Sequence, residues 1–215
     1  MDQRHRRRSL VNAVVKRVFD FCLALILALA FAPLILCLAL AILATDGRPV
    51  FFVSERMKRP DRAFALWKLR SMCKASENSG VSGGHKTDHI TPIGKVLRRY
   101  RLDELPQLWN ILRGDMSFVG PRPPLRQYTD AFPELYDKVL KCRPGVTGLA
   151  TLVFYAHEER LLSQCKTALE TDDVYKRQCI PRKAHLDMIY QRNQSFRLDL
   201  WIMGQTFLRL ISPHA

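Results

Sequence analysis

The sequence predicts a helix-dominated α/β protein: an N-terminal apolar helix that re-enters a membrane, a small cytoplasmic domain, and amphipathic helices lying at the interface. Three observations carry this. Residues 21–44 run for 24 positions without a charge, two short β-type runs follow, and apolar residues then recur at helical spacing. The mean hydropathy of −0.11 resembles that of a soluble protein only because it averages over this split. Lys and Arg outnumber Asp and Glu by 34 to 20, a net +14 carried outside the apolar run. A surface so basic needs an anionic partner. Apolar residues at 47% and charged residues at 25% exclude a wholly disordered chain.

Fourteen of the 24 apolar positions are Leu, Ile or Phe, which favours insertion by about −4 to −8 kcal/mol. As a helix the run reaches ~36 Å, against a hydrocarbon core of ~30 Å. It is too long for a secretory signal, and no small-residue cleavage site follows it. Pro33 divides it into two legs and removes one helical hydrogen bond while crowding the Leu29 carbonyl, so a bend is expected at Ala32-Pro33. Both flanks are basic, with Arg4, Arg6, Arg7, Arg8, Lys16 and Arg17 before and Arg48, Arg56, Lys58, Arg59 and Arg62 after. Cytoplasmic retention of both flanks favours a re-entrant hairpin over a single kinked span. The hairpin leaves the Leu29 carbonyl to be satisfied, with no Ser or Thr close by. The expected division is a basic segment (1–17), a re-entrant helix (18–45) and a cytoplasmic domain (46–215) ending in an amphipathic helix.

Cys22, Cys37, Cys73, Cys142, Cys165 and Cys179 form no Cys-x-x-Cys pair. They read as reduced cytoplasmic thiols rather than a disulfide framework or a zinc site. Asn193-Gln194-Ser195 matches a glycosylation sequon, a chance triplet that is silent in the cytoplasm.

Val50–Arg56 and Ala63–Arg70 predict a β-hairpin turning at Lys58-Arg59-Pro60-Asp61. Residues 74–89 form a Gly- and Ser-rich loop. His85 and His89 share helical spacing there with Asp88 between them, but without a third ligand a solvated loop is preferred to a metal site. Thr91-Pro92 opens a helix through Ile93, Val96, Leu97 and Tyr100. A second helix is expected to open at Asp103, to carry Leu105, Leu108, Trp109 and Leu112, and to close at Gly114. Turn-rich stretches follow at 120–124 and 143–148, and helical patterns at 158–170 and 172–193. In the last helix Phe196, Leu200, Met203, Phe207 and Leu210 share one face with Arg197 and Arg209 beside it, which suits a membrane surface.

Asp103-Glu104 is the most informative pair. Alone, two acids at a helix start cap free N–H groups and complement the dipole. Here Arg98, Arg99 and Arg101 precede them, and Arg113 and Arg122 follow on turns. Arginines beside Gly-Pro turns form a natural phosphate cradle. Carboxylates within one suggest a divalent metal bridging acid and phosphate, or a nucleophile once cations quench the repulsion. No Walker loop or dinucleotide fingerprint is present.

These residues resemble a known family. Leu102-Asp103-Glu104-Leu105-Pro106-Gln107-Leu108-Trp109-Asn110, Gly114-Asp115-Met116-Ser117 and Gly120-Pro121-Arg122-Pro123 are similar to the motifs of bacterial sugar transferases, the monotopic phosphoglycosyl transferases that load polyprenol phosphate. Lys16-Arg17-Val18-Phe19-Asp20, Trp67-Lys68-Leu69-Arg70-Ser71-Met72, Thr91-Pro92-Ile93-Gly94 and Arg143-Pro144-Gly145-Val146-Thr147-Gly148 extend the likeness over residues 14–211. The length resembles the small members that lack an additional multi-span domain.

The resemblance implies that Asp103 attacks the sugar-bearing phosphorus of a UDP-sugar and expels UMP. Polyprenol (undecaprenyl) phosphate then takes the phosphosugar. It further implies Mg2+ near Asp103, metal or proton handling by Glu104, phosphate binding by Arg98, Arg122, Lys68 and Arg70, and a turn shaped by Gly120, Pro121 and Pro123. The implied location is the cytoplasmic face of the bacterial inner membrane, with no nucleic-acid partner and a homo-oligomer left open. The chain departs from the family pattern in two places. Ala32 stands where Ser usually precedes the bend proline, and Leu149–Ala156 replaces a stretch that usually carries an arginine. A membrane-tethered protein that binds nucleic acid or anionic lipid without catalysis is the alternative reading of the charge.

Overall fold

The computed structural model describes residues 3–73 and 89–211. In chain order its elements are α1 (Gln3–Thr45), β1 (Phe51–Arg59), β2 (Arg62–Leu69), α2 (Pro92–Arg99), α3 (Gln107–Arg113), β3 (Ser117–Val119), α4 (Arg126–Ala131), α5 (Pro133–Val139), β4 (Gly145–Thr147), α6 (Leu149–Ser163), α7 (Ala168–Val174), α8 (Ile180–Arg192) and α9 (Phe196–Ile211). A 3-10 turn at Leu102–Glu104 precedes α3, and a π-turn at Tyr175–Cys179 precedes α8. The fold is helix-dominated, with one long apolar N-terminal helix and a small mixed α/β domain.

The backbone of α1 stays helical through Pro33, so the two legs join without a loop, and the basic residues from Gln3 onward belong to the same helix. Ala13–Thr45 is long and apolar enough to cross a membrane. Its outer surface is exposed at Leu25, Ile26, Leu29, Leu36 and Leu40. Its inner surface packs at two places. Ala24, Leu27 and Ala28 meet Phe64, Leu66, Leu108 and Ile111, while Leu38 and Ile42 meet Leu69 and Leu97.

Both flanks of the apolar run are tied to the same domain. On the N-terminal side Arg17 donates to the Ile111 and Leu112 carbonyls at 2.6 and 2.8 Å. These are end carbonyls of α3, where Ile111 also accepts from the Gly114 amide at 3.0 Å. Lys16 reaches the Val119 carbonyl at 3.1 Å and Asp199 of α9 at 2.5 Å. Past the other end of α1, Arg70 donates to the Asp46 and Gly47 carbonyls at 2.6 and 2.8 Å.

The expected hairpin forms, longer than anticipated. β1 and β2 pair antiparallel from Phe51–Leu69 to Arg59–Arg62 around Pro60-Asp61. Their core-facing residues Met57, Phe64, Leu66 and Leu69 are buried. Asn110, fully buried, locks α3 onto this hairpin: its Oδ1 accepts from the Trp67 amide at 3.2 Å and its Nδ2 donates to the Ala65 carbonyl at 2.7 Å.

The two Gly-Pro stretches, far apart in sequence, lie side by side. β3 and β4 pair in parallel, the Gly120 amide donates to the Thr147 carbonyl at 2.9 Å, and the Gly145 amide donates to the Pro121 carbonyl at 2.8 Å. A Cβ on Gly120 would lie 2.2 Å from the Arg143 carbonyl oxygen, and one on Gly148 would lie 2.2 Å from that of Gly120. Only glycine permits this backbone contact.

Several expected boundaries shift. The patterns at 158–170 and 172–193 resolve into α6, α7 and α8. Pro181 has no N–H to offer the Arg177 carbonyl and would crowd it, and the backbone there widens into the π-turn. On α9, Ile202 is buried, and Met203 turns inward with Leu198 toward Val119 and Tyr190. Phe196, Leu200, Trp201 and Phe207 remain exposed. All six cysteines are free. His85 and Asp88 lie outside the described residues.

Gly120→Ala is expected to destabilise the protein by at least ~2 kcal/mol because the new methyl meets fixed backbone. Gly204→Ala on α9, with nothing within 4 Å of the added carbon, should stabilise it by ~0.5–1 kcal/mol. Thermal melting in detergent checks both directions.

Candidate active site

The dyad is built by an unusual turn. Helix α2 opens with Pro92 at its first position and with the Thr91 hydroxyl accepting from the Gly94 amide at 3.0 Å. After it ends, Arg101 takes a left-handed conformation (φ 53, ψ 24), which costs a non-glycine residue ~1 kcal/mol or more. The chain then enters the 3-10 turn that holds Asp103 and Glu104. Helix α3 begins only after Pro106, and no side chain caps it or the 3-10 turn. The expected helix start at Asp103 is therefore displaced to Gln107. Capping does not explain the acid pair.

Asp103 and Glu104 line a cavity of about 850 Å³ together with Lys68, Arg70, Arg98, Arg101, Arg122 and Arg56. Glu104 is clasped by Lys68 at 2.8 Å, Arg101 at 3.5 Å and Arg122 at 3.6 Å. Burial pushes its pKa up, but the combined field of Lys68, Arg122 and Arg101 prevails and holds it down to about 2. Among the described residues Asp103 takes part in none of the ion pairs. Burial, reinforced by the Glu104 charge, raises it above the usual aspartate value, with Lys68 and Arg98 pulling the other way. Two adjacent acids thus sit in different fields: Glu104 is held as a charge by three cations, while Asp103 lines the cavity outside those three pairs.

The remaining expected residues fall as follows. Arg98 is positioned by donation from its Nε to Ser71 at 2.9 Å. Arg122 sits on the loop that Gly120 and Pro121 brace against Gly145 and Thr147, with the next residue, Pro123, lining the cavity. Arg70 borders the cavity, but its guanidinium is bonded to the end of α1. Its Nε alone is buried without a partner. Ala32 and Pro33 lie in the apolar helix, away from these residues in sequence.

Two participants were not singled out in the sequence. Arg56, counted there as flanking charge, lines the cavity beside the Pro123 carbonyl, 3.4 Å from its Nη1. Burial, with Arg122 close by, lowers its pKa to about 10. At the other end, Lys183 pairs with Glu158 at 2.8 Å. Nothing local in the sequence signals that α6 and α8 face the dyad.

Because Glu104 titrates near 2 in the fold against an ordinary 4.5, its ionisation contributes about 3 kcal/mol of stability above pH ~4.5 that is lost as pH falls toward 2. Melting curves between pH 6 and pH 3 are expected to fall more steeply for the wild type than for Glu104→Gln. Equal slopes would show that the three cations do not hold the charge.

A family model described as bacterial sugar transferase matches residues 11–213. The chain is 34% identical over 210 residues to the UDP-N-acetylgalactosamine-undecaprenyl-phosphate N-acetylgalactosaminephosphotransferase of Aeromonas hydrophila, covering 95% of this chain and 45% of that protein. It is 34% identical to the UDP-glucose:undecaprenyl-phosphate glucose-1-phosphate transferase of Escherichia coli over 78% of this chain and 37% of the relative. An uncharacterised sugar transferase of Bacillus subtilis is 30% identical over 92% of this chain and 88% of its own length. The chain thus spans less than half of the first two relatives. The motifs that suggested the resemblance all fall within the matched span, and the chain belongs to the bacterial sugar transferase family.

Proposed function

We propose that this protein transfers a sugar 1-phosphate from a UDP-sugar to polyprenol phosphate at the cytoplasmic face of the bacterial inner membrane. The observation that carries the reading is the division of labour at the dyad: Glu104 is bound by three cations, and Asp103 is left outside the ion pairs in a cation-lined cavity. In the first step an Asp103 carboxylate oxygen attacks the sugar-bearing phosphorus. The bond from that phosphorus to the bridging oxygen breaks, and UMP leaves with the oxygen. In the second step a phosphate oxygen of the polyprenol attacks the same phosphorus, breaks the acyl-phosphate bond and restores the Asp103 carboxylate. One phosphoanhydride replaces another, so the protein contributes positioning and charge neutralisation. Arg98, Arg101, Arg122 and Arg56 bind phosphate oxygens, and Lys68 keeps Glu104 ionised.

Asp103 suits a magnesium ion, which takes one or two carboxylates together with substrate phosphates. Among the described residues no cluster of three acids, histidines or cysteines forms a protein-only site. Asp103 would hold the ion, whose charge would offset that of the phosphates when bound.

The re-entrant topology belongs to the same reading. A perpendicular span separates its flanks by ~30 Å of hydrocarbon, yet Lys16 and Arg17 on one side and Asp46 and Gly47 on the other all bond to one polar domain. The hairpin satisfies both, and it sets the dyad near the headgroups where the lipid phosphate lies. The exposed apolar residues of α9 would lie in the same interface.

Purified protein with magnesium, undecaprenyl phosphate and a panel of UDP-sugars should release UMP with at least one donor. Asp103→Asn should lower turnover by at least ~10³-fold, and chelation should abolish it. Wild-type turnover by Asp103→Asn would overturn the assignment. Cysteines at positions 5 and 60 in a thiol-free background should label from the same side of the membrane, and opposite sides would exclude the hairpin.

A further inference from the structure

The cavity has a second polar end that phosphate chemistry does not use. There α8 presents Lys183 and, one turn on, Asp187. Lys183 Nζ donates to both Glu158 oxygens at 3.0 and 2.8 Å and to the Tyr175 hydroxyl at 3.4 Å. Asp187 is only 6% exposed, its Oδ1 has no hydrogen-bond partner, and it borders the cavity beside Tyr136. A buried carboxylate oxygen without a partner costs ~1–3 kcal/mol, a cost that an incoming donor group would remove.

The two ends differ in sign. Around Glu104 the cations outnumber the acids, which attracts phosphate. Here Glu158 and Asp187 lie about the Lys183 ammonium, with Glu159 also lining the cavity, an acidic balance that repels it. Arg122 joins the ends, within electrostatic reach of Glu104 and Asp103 on one side and of Tyr175 and Glu158 on the other.

We propose that Asp187, with the Lys183–Glu158 pair and the Tyr136 and Tyr175 phenols, forms the subsite for the sugar ring of the nucleotide donor and sets which sugar is accepted. This rests on the transferase reading above. The choice of sugar over uracil follows from hydrogen-bond supply. Uracil brings one N–H donor, whereas a hexose brings three or more hydroxyls to a pocket rich in acceptors. Burial, opposed by Lys183, pushes Asp187 up to about 7, so near neutrality the group can accept from one hydroxyl and donate to another oxygen. Tyr175 is the first residue of the π-turn that precedes α8.

The test uses the full chain in detergent with undecaprenyl phosphate and four donors: UDP-glucose, UDP-galactose and their N-acetylhexosamine counterparts. The kcat/KM for each donor and the inhibition by UMP are compared among the wild type, Asp187→Asn and Tyr136→Phe. The preferred donor should lose ~10–100-fold in Asp187→Asn, changing the ranking of donors, while UMP inhibition stays within about two-fold. Tyr136→Phe, which removes a single hydroxyl, gives the same readout if Asp187→Asn fails to fold. An unchanged ranking in both variants overturns the subsite alone. Weakened UMP inhibition in parallel with turnover would assign this end to uridine and overturn the proposal. Absence of turnover with every donor in the wild type would overturn the transferase reading and the subsite with it.

Discussion

A buried carboxylate stays ionised out of water only if cations surround it, and at Glu104 that requirement organises this domain. Lys68 comes from β2, Arg101 from the left-handed turn after α2, and Arg122 from the loop after β3. The hairpin, α2 and the paired Gly-Pro stretches must therefore converge on one point. Asn110 and the close backbone contacts of Gly120 and Gly148 hold them there. The cations are distributed unevenly, so Glu104 is fixed as a charge while Asp103 remains open.

The elements that build the site also grip the apolar helix. Arg17 bonds to the end of α3, whose beginning follows the dyad, and Arg70 bonds to the end of α1 two residues after Lys68. Lys16 bonds to Val119, immediately before the loop that carries Arg122. On the proposed topology, the height of the dyad above the bilayer is set by side chains adjacent to its own ligands. The apolar helix and the dyad are thus joined by direct side-chain contacts.

Much of this was legible in the sequence because it is locally encoded. An uncharged 24-residue run, a Thr-Pro helix start and a hairpin around Pro60-Asp61 each follow from short-range rules. The acid pair and its arginines were visible as a cluster, but whether Asp103 capped a helix depended on Arg101 adopting a left-handed turn, which no propensity indicates. Arg56 was read as flanking charge because its role depends on where β1 packs. The polar end at Lys183 and Asp187 was invisible for the same reason: α6 and α8 meet the dyad only through long-range packing. The parallel pairing of β3 with β4 likewise joins segments more than 20 residues apart, through close backbone contacts at Gly120, Gly145 and Gly148 that short-range rules do not reach.

On the proposed reading Asp103, left open by the cations that hold Glu104, forms a covalent bond to phosphorus. Mass spectrometry of the intact protein, incubated with magnesium and its UDP-sugar donor without lipid acceptor, tests it most directly. The wild type is expected to gain one phosphosugar per chain, mapped to the peptide containing Asp103 and discharged by adding polyprenol phosphate. A donor that turns over fully with lipid while the protein mass never changes, or an adduct that persists in Asp103→Asn, would contradict it.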